Sequence, residues 1–448
     1  MKEAAKALRQ REDITVRRAD KTAAFVLIKT AEYRQKLDAI LSDSTKFERL
    51  TKSPTDEIKK EANDIISSVN AATNAVHIPP IIGDYSLGYL YGNVKTQKNG
   101  NPLHLIISQT PAPTYGLAKR LNQILTPYVP SRYSLRSSTE FLKEIRDSPG
   151  TGTIASLDVE SLFTNVPVDE TINIIMDRIY RDPSTPQLNI PEVSLRTLLE
   201  ICTKKAPFST HKGQMFRQKD GVAIGSPLGV LFANFYMGTV EERIFSNIRK
   251  PRKYARYIDN IFVQAEDEEE VEAVRRMFQH CSSLNYTVEF SNEGQLPFLD
   301  VLISKTDDGL KTSVYTKQTN LGLCLNGDSE CPARFKNTTV RAYIRRALTH
   351  CSSWQDTHKE LDRVTQMLVN NGYPNRLVDK EVRTALDRWY GENERPQPHL
   401  HEKIKLYYKA RMHARHFEDE DALRKIIKEN VTPTEADKEL ELVIYYQN

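Results

Sequence analysis

The sequence predicts an α+β fold divided into several lobes. Two β-rich stretches each carry a carboxylate at or near their end. Residues 153–158 run apolar up to Asp158, and residues 254–263 place Asp259-Asn260 between two apolar arms. Between them, Gly221-Val222-Ala223-Ile224-Gly225-Ser226-Pro227 leads into an apolar helical pattern. Amphipathic helices and short strand pairs are mixed around these segments without a regular strand–helix repeat, which is the pattern of an α+β chain.

The chain has 448 residues, more than one ordinary domain needs, and 39% hydrophobic residues can build a sizeable core. A net charge of +4 is mild, so nucleic-acid binding has to come from local basic surfaces. The five cysteines (Cys202, Cys281, Cys324, Cys331, Cys351) are scattered with no C-x-x-C pair, which points to a reducing compartment and away from structural zinc. Charge from Lys2 onward excludes a secretory signal, and no apolar run is long enough to span a bilayer. A soluble intracellular protein is expected.

In chain order, residues 2–12 form a short basic helix candidate. Strands are expected at 14–16 and 23–28 around the polar Arg17–Thr22 segment, and helices at 31–49 and 54–69 from the spacing of Tyr33, Leu37, Ile40 and Leu41 and of Ile58, Ala62, Ile65 and Ile66. Residues 89–108 read strand, loop, strand, with Lys95 and Lys98 in the loop. Two mobile point charges on a hairpin suit a triphosphate, although an ordinary exposed loop has the same composition. A helix follows at 113–127.

The strand at 153–158 aims Asp158 at a cleft. In residues 221–227 and the two beyond, three glycines and a proline precede a helix, leaving backbone amides free for an anion or a planar base. Asp259-Asn260 is read as the tight turn of a hairpin. A helix at 266–281 and strands at 286–290 and 296–303 complete the series. That order is the order of a polymerase palm. Two carboxylates from separate strands can hold two divalent metals roughly 3.5–4 Å apart for nucleotidyl transfer, and Mg²⁺ prefers such oxygen sites.

These segments resemble the reverse transcriptase of Penelope-like retroelements. The resemblance is carried by Arg18-Ala19-Asp20-Lys21, Tyr91-Gly92 with Lys95 and Lys98, Ser156-Leu157-Asp158-Val159 with Leu162-Phe163-Thr164-Asn165-Val166-Pro167, Asp220-Gly221-Val222-Ala223 with Gly225-Ser226-Pro227-Leu228, Arg256-Tyr257-Ile258-Asp259, and Leu296-Pro297-Phe298-Leu299-Asp300-Val301. It is collinear from about residue 14 to the C-terminus.

The resemblance implies a right-hand polymerase (fingers, palm and thumb) acting as an RNA-directed DNA polymerase on an RNA template, a DNA primer and dNTPs, with no membrane and a nuclear location. Asp158 and Asp259 are similar to the catalytic carboxylates. Asp158, Asp259, Asn260 and the Val159 carbonyl would hold two Mg²⁺ ions, with Mn²⁺ as a substitute. Phe163 resembles the steric gate against a ribose 2′-hydroxyl. Lys95 and Lys98 would meet the triphosphate, and Gly225, Ser226 and Pro227 would underlie the template base and incoming nucleotide. Phe298, Leu299 and Asp300 resemble the primer grip.

Two positions depart from the family. Asn260 stands where the second Asp of the Tyr-x-Asp-Asp turn is usual, and His104 stands where an Arg is usual after the fingers lysines. The first removes a charge from the metal site and the second weakens triphosphate binding.

Beyond the palm, Arg334, Lys336, Arg341, Arg345 and Arg346 cluster on one helix pattern, and helices at 356–370 and 375–389 follow. This is a thumb-like arrangement with a basic face for the template–primer backbone. Pro396 and Pro398 mark a linker. Strand, helix and strand at 404–408, 419–429 and 440–446 form a βαβ-like tail. His399, His401, His413 and His416 are read as solvated.

The expected division is 1–79 (N-terminal fingers extension), 80–150 (fingers), 151–310 (palm), 311–395 (thumb-like region) and 396–448 (linker and tail). The family often continues into a GIY-YIG endonuclease. No such motif occurs here, and the tail is expected to be truncated. Two alternatives remain open: a catalytically decayed copy that only binds nucleic acid, and an RNA-copying polymerase.

Overall fold

The computed structural model describes residues 8, 10–20, 24–73, 75–96, 98–391, 403–411, 416–432 and 439–447. The expected helix at 2–12, Lys21, the Pro396–Pro398 linker, His399, His401 and His413 lie largely or wholly outside them. The chain divides into two units, 1–385 and 386–448.

Strands β1 (Ile14–Arg18) and β2 (Phe25–Lys29) form a hairpin that runs directly into α1 (Thr30–Leu41). Tyr33, Leu37 and Leu41 fall on one face of α1 and are buried. The helical spacing expected over 31–49 stops at Leu41, because β3 (Phe47–Leu50) peels away to join a sheet. Helix α2 (Thr55–Ala72) buries Ile58, Ala62, Ile66 and Val69. Strands β4 (Gly88–Val94) and β5 (Leu103–Ser108) form the expected hairpin, followed by α3 (Thr114–Leu125) and α4 (Ser138–Ile145).

The central stretch continues with β6 (Thr153–Val159), α5 (Leu162–Asn165), α6 (Val168–Tyr180), α7 (Glu192–Cys202), β7 (Pro207–Ser209), β8 (Met215–Gln218), α8 (Gly229–Phe245), β9 (Lys253–Tyr257), β10 (Asn260–Ala265), α9 (Glu268–Cys281) and β11 (Tyr286–Phe290). Asp267 caps α9 by accepting from the Glu270 amide at 2.9 Å, and Glu268, Glu269 and Glu270 suit its positive N-terminus.

Two sheets organise this unit. The outer one has the order β3-β8-β7-β4-β5 and the central one β11-β6-β10-β9, the latter antiparallel throughout. The central sheet is buried on both faces. Ala155, Leu157, Val159, Ile261, Val263 and Ala265 join the large core built with α2, α3 and α6–α9. Ile154, Ala255 and Phe262 face the other way, against Phe141, Phe298, Val301 and Ile303. A large apolar side chain contributes about 1.5–3 kcal/mol on burial, so the strand positions beside Asp158 and Asn260 are fixed from two sides.

A third sheet, β12 (Gln295–Phe298), β13 (Val301–Thr306) and β14 (Gly309–Val314), supplies that second layer. The single strand expected over 296–303 is therefore a hairpin. It breaks at Leu299-Asp300, where Leu299 takes φ +56°. Helices α10 (Ala333–His350), α11 (Trp354–Asn370) and α12 (Asn375–Gly391) follow.

In the second unit, β15 (Lys403–Arg411) and β16 (Glu439–Gln447) pair in parallel, joined through α13 (His416–Asn430), which gives the expected βαβ unit. His416 corrects one expectation. As the first residue of α13 it is buried, with its ring against Phe417 and against Tyr446 of β16 rather than in solvent. Among the described residues, no helix is long and apolar enough to cross a membrane.

Candidate active site

The register of the central sheet decides where the acidic side chains go. Asn260 is the first residue of β10 and pairs with Asp158 on β6 and with Tyr257 on β9. The Val159 amide donates to the Asp259 carbonyl at 3.0 Å, which locks the two strand ends together. Directly opposed residues of an antiparallel pair share a face with Cβ atoms about 4.5–5.5 Å apart. Asp158 and Asn260 therefore stand side by side, on the face where Phe262 and Ile154 pack. Val159, the next residue of β6, points into the opposite core. Asp158 is exposed, and Asp259 and Asn260 are half-buried.

The hairpin differs from expectation by one residue. Its two-residue turn is Ile258-Asp259, and Asn260 already belongs to the ladder. This register is the one that sends Ile261 and Val263 into the large core. It forces Ile258 to φ +57°, a conformation costly for a β-branched residue, on the order of 1–3 kcal/mol. The Asn260 Nδ2 donates to Asp259 Oδ1 at 2.8 Å, so the amide orients the neighbouring carboxylate.

Arg256 holds the strained turn. Its guanidinium is fully buried. Nε and Nη2 donate to Glu241 of α8 at 2.6 and 3.2 Å, and Nη1 donates to Asn234 Oδ1 at 2.8 Å and to the Ile258 carbonyl at 3.1 Å. The Tyr254 hydroxyl donates to Glu241 Oε1 at 2.7 Å. Motif resemblance assigned Arg256 no role of its own. The signal for one was an arginine inside the otherwise apolar run Tyr254-Ala255-Arg256-Tyr257-Ile258, since a buried guanidinium needs a built partner.

Phe163 lies on α5, just past β6, and is half-buried. Its carbonyl accepts from the Val222 amide at 2.7 Å, and its ring borders Gly229, where an added Cβ would sit 3.5 Å away. The structure thus joins Phe163 to the glycine-rich segment. Gly225 has a strict requirement, because a Cβ there would lie 2.3 Å from the Ile107 carbonyl on β5, next to the Ser108–Gly225 bridge. The expectation of free amides is corrected at three positions before and at this helix start: the Ser226 amide donates to Ala223 O, the Leu228 amide to Ser226 Oγ and the Gly229 amide to Ser226 O, so these three are taken up within the turn. Ser226 and Pro227 remain half-buried at its surface.

Lys95 and Lys98 sit at the β4–β5 hairpin, on the outer sheet rather than the carboxylate sheet. Lys36 of α1 holds the hairpin tip by donating to the carbonyls of Gly100 (2.8 Å) and Asn101 (3.0 Å). His104 directs Nδ1 to the buried Asp20 at 2.9 Å, so this ring is tied to the segment before β2.

The structure places the three primer-grip candidates in different surroundings. Phe298 is 2% exposed and packs on Phe141 (4.6 Å) and Phe262 (5.7 Å), so it buttresses the carboxylate strand from beneath. Asp300 turns to α10, with Oδ2 3.1 Å from His350 Nε2 and 3.2 Å from Arg346 Nε. Burial pushes the Asp300 carboxyl up, but bonding to His350, the charges of His350 and Arg346 and the Ser138 hydroxyl outweigh it and bring it down to about 2. Leu299 remains half-buried at the tip of this hairpin.

The basic face of α10 is also smaller than expected. Arg341 is paired with Glu381 and Arg346 with Asp300, because α10 needs both to dock on its neighbours. Arg334 and Arg345 are exposed.

The donor set at the β6–β10 end consists of two carboxylates, one amide and the Val159 main chain. It is all-oxygen at its ligating atoms and fits a hard divalent cation. Among the described residues, no group of three or more His, Cys, Asp or Glu gathers at metal-binding spacing.

Residues 114–292 match the reverse transcriptase (RNA-dependent DNA polymerase) family, and residues 323–383, spanning α10, α11 and the first half of α12, match the animal helix-turn-helix domain. Among solved structures, the chain is similar to telomerase from Candida albicans in complex with a TWJ fragment of telomeric RNA (TM-score 0.52, 9% identity, 86% of this chain and 74% of that one). It is also similar to the apo telomerase from Candida tropicalis truncated from its C-terminal domain (TM-score 0.45, 10% identity, 66% of this chain and 63% of that one), and so spans less than two thirds of that protein's length. A third similarity is to the RNA-dependent RNA polymerase of a human picobirnavirus (TM-score 0.46, 10% identity, 82% and 79%). A search of curated proteins found no match.

Proposed function

We propose that this chain, which carries a reverse-transcriptase domain within a right-hand polymerase fold, is an RNA-directed DNA polymerase of a Penelope-like retroelement. It extends a DNA primer on an RNA template with dNTPs. The observation that carries this reading is the pairing of Asn260 with Asp158, together with the Val159–Asp259 main-chain bond. It brings two carboxylates from distant segments to one strand end.

Asp158 and Asp259, with Asn260 and the Val159 carbonyl, would hold Mg²⁺ or Mn²⁺. Bound there, the cations would supply activation of the primer 3′-hydroxyl and charge neutralisation on the leaving pyrophosphate. The chain's own residues do the positioning. Arg256 fixes the Ile258 carbonyl and with it the Asp259 carboxylate. Phe163 serves as the ring at the sugar side of the glycine-rich turn, where a 2′-hydroxyl would clash. Lys95 and Lys98 offer charge to the triphosphate. The Penelope-like assignment rests on the collinear motifs, including Arg18-Ala19-Asp20 and Leu296-Pro297-Phe298-Leu299-Asp300.

A second reading is favoured by one observation. Asn260 removes a carboxylate from the site, as a decayed copy that retains nucleic-acid binding would. Primer extension on a primed RNA template with dNTPs separates the two. Mg²⁺-dependent extension that Asp158→Ala abolishes supports the polymerase. Template binding without any incorporation supports the decayed copy.

A further inference from the structure

Phe163 stands in a one-turn helix with a strained start. Ser161 opens α5 at φ +53°, a left-handed conformation that residues other than glycine adopt only at a cost. Asn165, the last residue of α5, closes the turn by donating Nδ2 to the Glu160 carbonyl at 3.0 Å. Its Oδ1 accepts from the Lys46 ammonium at 2.7 Å, although Lys46 lies 119 positions earlier, in the half-buried turn between α1 and β3. An ammonium can only donate, so this contact sets the amide with Oδ1 on the cation and Nδ2 towards Glu160.

The same lysine also holds the segment on the other side of α5. Its carbonyl accepts from the Lys219 amide at 2.7 Å, and the Ser44 carbonyl accepts from Lys219 Nζ at 3.0 Å. Lys219 leads from β8 into the glycine-rich stretch. Gly221 there takes φ +77°, and a Cβ on it would lie 2.7 Å from the Thr164 carbonyl of α5. The α5 turn is thus held between this lead-in and Asn165, and Lys46 bonds to both. Leu162 anchors the turn in the large core, whereas Phe163 packs at the margin of that core and stays half-buried. The core fixes one side of the turn, and the direction of the Phe163 ring depends on how the turn is closed.

We propose that Lys46 and Asn165 are positioning residues for sugar selection, which close the α5 turn and so set how firmly the Phe163 ring stands against the sugar of an incoming nucleotide. The inference rests on the polymerase reading for the role of Phe163. Both residues act through the ring and not on the nucleotide. A hydrogen bond from a charged donor is stronger than one between neutral groups, so Lys46 is the main tie on the amide. With the tie cut, the turn relaxes from the left-handed start at Ser161, and the ring gives way to a 2′-hydroxyl. A deoxynucleotide makes no such demand, so the loss falls on discrimination and not on rate.

The test uses the full chain on an RNA template with a chain-terminated DNA primer, and measures the dNTP and the matching rNTP concentrations that stabilise the ternary complex. Primer extension is measured separately. Lys46→Met should lower the preference for dNTP by roughly 2- to 12-fold, the worth of one hydrogen bond, through tighter rNTP binding with dNTP binding unchanged. Asn165→Asp keeps an acceptor for Lys46 but has no donor for the Glu160 carbonyl, and should lower the preference likewise. Lys46→Met added to Phe163→Val should lower it no further than Phe163→Val alone, because the effect passes through the ring. An unchanged preference in Lys46→Met, an equal loss of dNTP and rNTP binding, or a further drop in the double variant overturns the proposal. A chain that extends no primer but shows a Lys46-dependent preference keeps the positioning role and loses the polymerase. An extending chain whose preference ignores Lys46 does the reverse, and a chain that binds neither nucleotide loses both.

Discussion

Replacing Arg256 by Met tests how the carboxylate turn is held. Arg256 is 0% exposed and its partner Glu241 1%, so the substitution leaves a buried carboxylate without its counter-charge. Breaking one side of such a pair costs about 3–5 kcal/mol. It also removes the bond to the Ile258 carbonyl, next to a residue at φ +57° that carries strain of about 1–3 kcal/mol. Arg256→Met alone should therefore lower both stability, read from a denaturant midpoint, and primer extension. The informative variant is Arg256→Met combined with Glu241→Gln. Removing both charges should recover most of the stability, since a buried ion pair replaced by neutral groups is often close to neutral, and the glutamine oxygen still accepts from Tyr254. Activity should stay low, because nothing then holds the Ile258 carbonyl. A double variant that regains full kcat along with stability would refute the positioning role. Arg256→Met with wild-type stability would refute the energetic reasoning itself.

Three further outcomes follow from the same geometry. Asn260→Asp places a second carboxylate beside Asp259 in place of a 2.8 Å amide contact; it should lower the Mg²⁺ concentration needed for extension and raise the rate by roughly 10- to 100-fold, while slightly destabilising the metal-free chain, and equal rates at low Mg²⁺ would show that charge at this position is not limiting. Phe163→Val should raise ribonucleotide use relative to deoxynucleotide use, measured as the ratio of rNTP to dNTP incorporation, and an unchanged ratio in an active variant removes the ring from that role. Asp300 is held at about 2, below the usual carboxylate value near 3.9, so its contribution is present above about pH 4 and is lost as pH falls towards 2. The side chain is 39% exposed, so solvent screening reduces the contribution to about 1 kcal/mol. Asp300→Asn should cost that amount in denaturation at pH 7 and flatten the stability profile between pH 4 and 2; a profile identical to wild type would exclude the contacts of Asp300 with Arg346 and His350 as a tie.

The carboxylate strands were legible because burial on both faces writes a long apolar run, and an aspartate at the end of such a run has few other places to go. The same logic exposed the helices whose apolar positions recur at helical spacing, such as Ile58, Ala62 and Ile66. The outer sheet was harder to read. Its strands β3, β7 and β8 are three or four residues long and find partners far along the chain, as Phe47 does with Gln218, and such short runs carry no period of their own. The turn position was missed because Asp-Asn is the better turn former locally. The register was chosen instead by the burial of Ile261, Phe262 and Val263, at the expense of Ile258. Phe298 and Asp300 carried motif resemblance, yet motif position says nothing about side-chain direction. Only the packing of Phe141 and the docking of α10 show one buried and the other tied to His350.

The most direct measurement of the central claim is primer extension by the wild-type chain, Asp158→Ala and Asp259→Ala on a primed RNA template with dNTPs and Mg²⁺. The account predicts template-directed DNA synthesis by the wild type and a loss of more than about 100-fold in each variant, beyond what altered neighbours of a metal site cost, with template binding retained in all three. A wild-type chain that binds template and dNTP but adds no nucleotide, or an alanine variant that extends as well as the wild type, would contradict it.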